Sequence, residues 1–166
     1  MSGPGGQGAA PVPLGPGTVV TSHIRLVGEL GRGGMGSVWV AYDARFDIEV
    51  AVKFVATDLL ARFPQLRERF RVEARAAAQI RSPHVVQILD HGLMPDATPY
   101  MVMERLHGES LGERLKRGRP SLRETAIIVA QTAKALAAAH KLGVVHRDIK
   151  PDNIFLLATE CGRSRW

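Results

Sequence analysis

The sequence has few cysteines, few aromatic residues and no long apolar runs. Cys161 is its single cysteine, which excludes an internal disulfide and fits a reducing compartment. No apolar run approaches the ~20 residues that a membrane-spanning helix needs. The first residues also lack the basic and apolar regions of a signal peptide. We therefore expect a cytoplasmic protein without a membrane segment in this chain.

The scarcity of aromatic residues also bears on possible partners. The chain carries a net charge of +6, but only 5% of its residues are aromatic. Its arginines are scattered, without the interleaved aromatic residues on which the bases of a single strand stack. A solvated basic helix face is the better interpretation, and we expect no nucleic acid partner.

The order of the predicted elements favours an α+β fold. Residues 1–22 are rich in glycine and proline, and we expect them to be disordered because they have little apolar surface to bury. Alternating strand patterns and one inserted amphipathic helix follow, and the later part of the chain is helical. The predicted strands are 23–30, 37–43, 48–55, 85–92 and 99–105, and the inserted helix covers 65–80.

A long helix is predicted after residue 120. Ser121 and Glu124 have the spacing of a capping box, and Gly143 supplies the stop signal. One face of this helix is apolar, and its members are Leu122, Ala126, Val129, Ala133 and Leu136.

Two charged residues occupy positions where the pattern expects apolar ones. Lys53 lies inside a strand of valine, alanine and phenylalanine, and Glu73 lies on the apolar stripe of the inserted helix. Either charge buried alone would be costly, but the two could form a pair. The alternative is that Lys53 extends its ammonium group to solvent and Glu73 lies at the edge of the stripe.

The segment GRGGMGSV contains the pattern G-x-G-x-x-G-x-V at residues 31–38. Glycines allow a backbone to approach a phosphate closely and to offer it N–H groups. The pattern opens a β-branched, alternating segment and not a helix, which argues against a dinucleotide-binding turn. No G-K-[ST] follows, so a P-loop is excluded as well. A glycine-rich hairpin over a nucleotide is the remaining interpretation.

The segment HRDIKPDN combines Asp148 with Lys150 and Asn153 on one loop. An aspartate can accept a proton from an attacking hydroxyl, a lysine can neutralise phosphate charge, and an asparagine can hold a metal ion. The alternative is a charged surface turn.

Together these motifs resemble a eukaryotic-like protein serine/threonine kinase of the bacterial type. The resemblance covers about residues 23–157 and implies a protein-kinase-like fold. That fold has a five-stranded antiparallel small lobe with one helix, followed by the first helices and the catalytic loop of a helical large lobe. The implied domains are a tail at 1–22, a small lobe at 23–103, and a hinge with a partial large lobe at 104–166.

The resemblance also implies roles for individual residues, with ATP and Mg²⁺ as cofactors and protein Ser/Thr hydroxyls as substrate. Asp148 would be the catalytic base, Lys150 would face the γ-phosphate, and Asn153 would bind Mg²⁺. Lys53 would contact the α- and β-phosphates and pair with Glu73. The remaining residues implied for ATP binding are Leu30, Gly31, Arg32, Gly33, Gly34, Met35, Gly36, Ser37, Val38, Ala51, Met103, Glu104, Leu106 and Phe155.

The D-F-G aspartate of such kinases has no counterpart here, because no aspartate follows Asp152. The sequence is therefore interpreted as a kinase domain truncated after the catalytic loop. Three hypotheses stay open: an enzyme completed by another chain, an inactive module that binds a nucleotide or a partner, and a non-functional remnant. A partner chain could cover the apolar face of the helix after residue 120.

Overall fold

The computed structural model of the protein describes residues 12–158. These residues form two compact units. The first contains residues 12–75 and 88–105, and the second contains residues 76–87 and 106–158. None of the helices in the described part of the chain is long and apolar enough to cross a membrane.

The first unit is built on a five-stranded antiparallel sheet, as the sequence predicts. Its spatial order is β1-β2-β3-β5-β4, so the last two strands exchange places relative to chain order. The strands are β1 (Ile24–Gly33), β2 (Gly36–Asp43), β3 (Ile48–Val55), β4 (Ile88–Leu93) and β5 (Pro99–Glu104).

Strand alternation decides which side chains enter the core of this unit. In β3, Val50, Val52 and Phe54 are almost completely buried on one face. Ala51 and Lys53 alternate with them and therefore lie on the opposite face. The core face continues across β2 and β5, where Trp39 and Val102 lie opposite Val52.

Two helices follow β3. Helix α1 (Thr57–Arg62) is not anticipated by the sequence patterns, since its six residues bury a single apolar side chain, Leu60. Helix α2 (Leu66–Ala77) is the predicted inserted helix, but it ends three residues earlier than expected. The N–H groups of Gln79 and Ile80 bond to the carbonyls three residues before them, which tightens the chain into a turn.

The prediction that residues 1–22 are disordered is wrong for residues 12–22, whereas 1–11 lie outside the described residues. The segment 12–22, called the arm below, runs back along β1. Composition does not predict the ordering of the arm, because the few apolar side chains of the arm do not have to form a core themselves. They pack onto the core that the sheet already forms. Three of them pack in or against that core, namely Val12, Leu14 and Val20.

The second unit combines a small sheet with helices. Strands β6 (Gly108–Ser110) and β7 (Phe155–Leu157) pair antiparallel, and α3 (Leu111–Lys116) follows β6 directly. Helix α4 (Leu122–His140) has the predicted capping box: the Ser121 side chain accepts from the Glu124 N–H, and the Glu124 carboxylate accepts from the Ser121 N–H.

The apolar stripe predicted for α4 is not its buried face in this unit. Helix α4 buries Ile128 and Ala139, whereas Leu122 and Val129 are 92% and 61% exposed. The helix has apolar residues on more than one side, so periodicity alone could not identify the side that packs.

Candidate active site

The glycine-rich segment forms the tight hairpin between β1 and β2, with Gly33 opposite Gly36. Its tip is open: a Cβ atom added at Gly31, Gly33 or Gly34 would meet no atom within 4 Å. Gly36 differs, because its φ is +140° and an added Cβ would lie 2.9 Å from the Phe54 carbonyl carbon and closer still to its oxygen. The fold itself therefore requires glycine at 36, whereas the other glycines leave room above the hairpin.

The strand register brings several of the implied ATP-binding residues to one face of the sheet. Val38 lies opposite Lys53, and Ala51 lies opposite Met103. Residues directly opposite in an antiparallel pair share a face, so all four lie on the side away from Trp39 and Phe54. Leu30 falls at a β-bulge near the end of β1 and is 53% exposed.

Other implied residues lie elsewhere. Ser37 is buried and accepts a hydrogen bond from the Trp39 indole at 3.0 Å, so its side chain serves packing in β2. Arg32 pairs with Glu29 along β1 at 2.8 Å. Met35 is exposed at the hairpin tip. Glu104 ends β5, and Leu106 and Phe155 belong to the second unit.

The predicted pair between Lys53 and Glu73 does not form in this structure. Both side chains are exposed, and Glu73 instead faces Arg69 on its own helix, with 3.8 Å between the charged groups. Among residues 12–158, Lys53 takes part in no ion pair. The reason is rotational: α2 turns Ala74 inward, one residue past Glu73, so that Glu73 lies at the edge of the stripe. This is the alternative that the sequence left open.

In contrast, the segment HRDIKPDN brings Asp148, Lys150 and Asn153 together in one loop, as the motif predicts. The Lys150 ammonium lies 2.9 Å from Asp148 Oδ2. The Asn153 amide donates to the Asp148 carbonyl at 2.8 Å and to Oδ2 at 3.0 Å. A 3₁₀ turn at Pro151–Asn153 produces the reversal that returns Asn153 to Asp148.

Two features of the backbone hold this loop. Arg147 adopts a left-handed conformation, with φ of +63°, immediately before Asp148. The Asn153 N–H bonds to the Lys150 carbonyl at 2.9 Å, and the Leu111 N–H bonds to the Ile154 carbonyl at 2.7 Å. The loop is thereby closed on itself and attached to the start of α3.

The charges of the loop stabilise one another. The hydrogen bond from Lys150 lowers the pKa of Asp148 and outweighs the opposing effect of burial, and the Asn153 amide lowers it further. The same hydrogen bond raises the pKa of Lys150. At neutral pH the loop therefore presents an ionised carboxylate beside a protonated amine, which suits a proton acceptor next to a phosphate-binding cation.

Sequence reasoning missed Gly112 as a support of this loop. A Cβ on Gly112 in α3 would clash with the Asp152 carboxylate and lie 3.2 Å from its carbon, so glycine lets the helix approach the 3₁₀ turn. The glycine inside the short helix L-G-E-R-L-K is the one signal that could have indicated this close approach.

A metal ion would find few ligands in the described part of the chain. Residues 12–158 contain no cluster of three or more His, Cys, Asp or Glu side chains arranged to hold one. The side-chain amide of Asn153 donates both of its hydrogen bonds to Asp148. The side-chain carbonyl oxygen of Asn153 is therefore available to a metal ion. That oxygen is a suitable single ligand for Mg²⁺, and the rest of the shell would have to come from phosphate, water or other residues.

Comparison with known families and curated proteins gives consistent matches. The protein kinase domain family matches residues 24–161. The probable serine/threonine-protein kinase pknA2 of Bifidobacterium longum is 43% identical over 145 residues, which is 85% of this chain and 19% of that protein. The serine/threonine-protein kinase PknA of Mycobacterium tuberculosis is 40% identical over 148 residues, 86% of this chain and 34% of that protein.

Comparison with solved structures points the same way. The crystal structure of the Mycobacterium tuberculosis PknI kinase domain matches with a TM-score of 0.80 and 27% identity. The match covers 92% of this chain and 60% of that one. The chain thus spans about a fifth of the length of one curated relative, about a third of the other, and about three fifths of the solved domain.

Proposed function

Since the chain belongs to the protein kinase family, among relatives that are bacterial serine/threonine-protein kinases, we propose that its motifs serve phosphoryl transfer from ATP to protein Ser/Thr hydroxyls. The relatives favour this function over a binding module without turnover. The proposal includes a cytoplasmic site of action, where ATP and Mg²⁺ are supplied. It also includes a partner surface on the exposed apolar side of α4.

The arrangement of Asp148, Lys150 and Asn153 is the observation that carries the proposal. Two side chains of the required chemistry, those of Lys150 and Asn153, lie within 3.0 Å of one carboxylate oxygen of Asp148. A surface turn would have no need of a lysine and an asparagine that converge on one aspartate. In phosphoryl transfer the protein mainly positions the reactants and stabilises charge, and these three groups can do both.

Each residue of the loop has a distinct proposed role. Asp148 accepts the proton of the substrate hydroxyl, for which its lowered pKa keeps it ionised. Lys150 stays protonated and stabilises negative charge on the transferred phosphoryl group. Asn153 orients the Asp148 carboxylate with its N–H groups and offers its oxygen to Mg²⁺, which when bound neutralises phosphate charge.

The first unit supplies the proposed phosphate and adenine contacts. The open hairpin at Gly31–Gly36 offers room for phosphates, and Lys53, which has no ion-pair partner among residues 12–158, lies on the same sheet face as Ala51. Because Glu73 faces solvent here, we propose that α2 must rotate before Lys53 and Glu73 can pair in an ATP-bound form.

The test is a titration of the chain with a fluorescent ATP analogue in the presence of Mg²⁺. Lys53→Met should weaken binding by roughly ten-fold or more, the loss of one charge-assisted phosphate contact. Lys134→Met, at another exposed lysine, on α4, is the matched control and should bind like the wild type. Equal affinities for Lys53→Met and the wild type would remove Lys53 from the phosphate site.

A further inference from the structure

The arm is tied to the sheet by backbone hydrogen bonds. The Gly17 N–H donates to the Leu26 carbonyl at 2.8 Å, and the Leu26 N–H donates to the Thr18 carbonyl at 2.9 Å. The Val20 N–H donates to the Ile24 carbonyl at 2.9 Å. The arm therefore extends the edge of the sheet beyond β1.

A second attachment lies at the start of the described chain. The Val12 N–H donates to Asp96 Oδ2 at 2.8 Å, and the Thr98 N–H donates to Asp96 Oδ1 at 2.9 Å. Asp96 lies in the turn between β4 and β5, eighty-four residues from Val12 in sequence. Burial raises the pKa of Asp96, but the hydrogen bonds from Val12 and Thr98 outweigh it, and the pKa is lowered overall.

The same turn also holds helix α2. Arg67 Nε donates to the Ala97 carbonyl at 3.2 Å, which links the first turn of α2 to the residue that follows Asp96. The turn is closed by hydrogen bonds between Met94 and Thr98 and between Ala97 and Met94. Ala97 is left-handed, with φ of +63°, so the turn holds a conformation that alanine rarely adopts.

Helix α2 buries little apolar surface in the described part of the chain. Ala74 is its buried residue. A cavity of about 230 Å³ lies between the helix and the sheet, lined by Arg67 and Phe70 from α2 and by Leu93 and Tyr100 from the strands. Next to this gap, the hydrogen bond from Arg67 to Ala97 attaches the first turn of the helix to the β4–β5 turn.

We propose that the arm positions helix α2: Val12 bonds to Asp96 and Arg67 bonds to the adjacent Ala97, so that one turn couples docking of the arm to the orientation of the helix. Helix α2 carries Glu73, so the coupling rests on the proposed function where it concerns the nucleotide site. The arm would then bias how readily Glu73 reaches Lys53. Asp96 and Arg67 are positioning residues in this scheme and touch no reacting group.

Hydrogen–deuterium exchange of the nucleotide-free chain tests the coupling directly. Val12→Pro removes the N–H donor and keeps an apolar side chain, at a position where the following Pro13 already favours extended backbone. Exchange should rise roughly ten-fold in the arm and also in peptides covering 66–77, as expected for loss of a hydrogen bond to a charged group. Val12→Ala keeps the donor and should stay within about two-fold of the wild type at both places.

A double variant distinguishes coupling through the turn from two separate contacts. Arg67→Gln should raise exchange in α2, and adding Val12→Pro should raise it no further there, because the coupling is already broken. Arg75→Gln, on an exposed face of α2, is the matched control for loss of a helix arginine and should leave exchange unchanged.

Two outcomes would overturn the proposal: faster exchange in the arm with α2 at its wild-type level, or additive effects in the double variant. If Val12→Pro lowers the melting temperature of the whole chain, Asp96→Asn is measured in its place. The same two outcomes, unchanged exchange in α2 or additive effects in the double variant, would then overturn the proposal. Because the exchange experiment contains no nucleotide, a negative result in it would not contradict the role of Lys53 that the ATP titration tests. A failure of that titration likewise leaves the exchange result standing.

Discussion

Replacing Gly36 by alanine should destabilise the first unit, whereas the same change at Gly34 should not. Both glycines lie in one hairpin, but their surroundings differ. A Cβ at Gly36 would lie 2.9 Å from the Phe54 carbonyl carbon and 3.1 Å from the Ala56 nitrogen, and its φ of +140° suits glycine alone. A Cβ at Gly34 would meet nothing within 4 Å.

The magnitude follows from these two penalties. Forcing alanine into a backbone region reserved for glycine costs about 1–3 kcal/mol. Overpacking against an atom that cannot rotate away costs about another 1–3 kcal/mol, and the Phe54 carbonyl belongs to a central strand. A loss near 3 kcal/mol would lower the melting temperature by roughly 6–12 °C for a chain of this size. Gly34→Ala should stay within about 0.5 kcal/mol of the wild type.

The assay is thermal unfolding followed by the fluorescence of Trp39, which is 4% exposed in the core of the first unit. The second tryptophan, Trp166, is replaced by phenylalanine in all samples so that the signal reports this unit alone. Equal melting temperatures for Gly36→Ala and Gly34→Ala would refute the reasoning, since they would mean that the close approach of Phe54 does not constrain the hairpin.

Three further predictions concern the rest of the chain. Phosphoryl transfer by these 166 residues alone should be near background. No aspartate follows Asp152 to hold Mg²⁺, and the loss of one electrostatic element can lower the rate by a factor on the order of 10². Labelling of a basic protein by radiolabelled ATP that disappears in Asp148→Asn would contradict this prediction. Asp96 has a lowered pKa in the folded chain, so its carboxylate stabilises the folded state fully when the pH is above the pKa of an unfolded aspartate, about 3.9. This stabilisation is lost as the pH falls through the pKa of Asp96 in the folded chain. Melting curves between pH 5 and about pH 3 should bring the wild type closer to Asp96→Asn, and a constant difference would exclude the carboxylate as anchor. Ser121→Ala should cost about 1 kcal/mol in α4 by removing the cap, whereas Ser121→Asp should retain it; helicity measured by circular dichroism on heating checks this, and identical melting of the two variants would count against the cap.

Local patterns in the sequence were enough to predict most elements of the first unit. Strand alternation predicted the faces of β3, because side chains in a strand must alternate whatever surrounds them. The capping box at Ser121 and Glu124 formed as predicted, since both partners lie within one turn of helix. The contacts of Lys150 and Asn153 with Asp148 were also predictable from sequence, because all three residues belong to the eight-residue segment HRDIKPDN.

Tertiary packing decided what periodicity could not. Glu73 and Ala74 are neighbours on α2, and only the tertiary structure decided that Ala74 is buried and Glu73 is exposed. The same holds for α4, where Ile128 was buried and Val129 was left exposed. The arm is the clearest case: its composition predicts disorder, yet Val12 binds Asp96, far away in sequence. A sequence determines the residues that can pair within a turn or a strand, whereas pairing across such distances depends on where the whole fold places each segment.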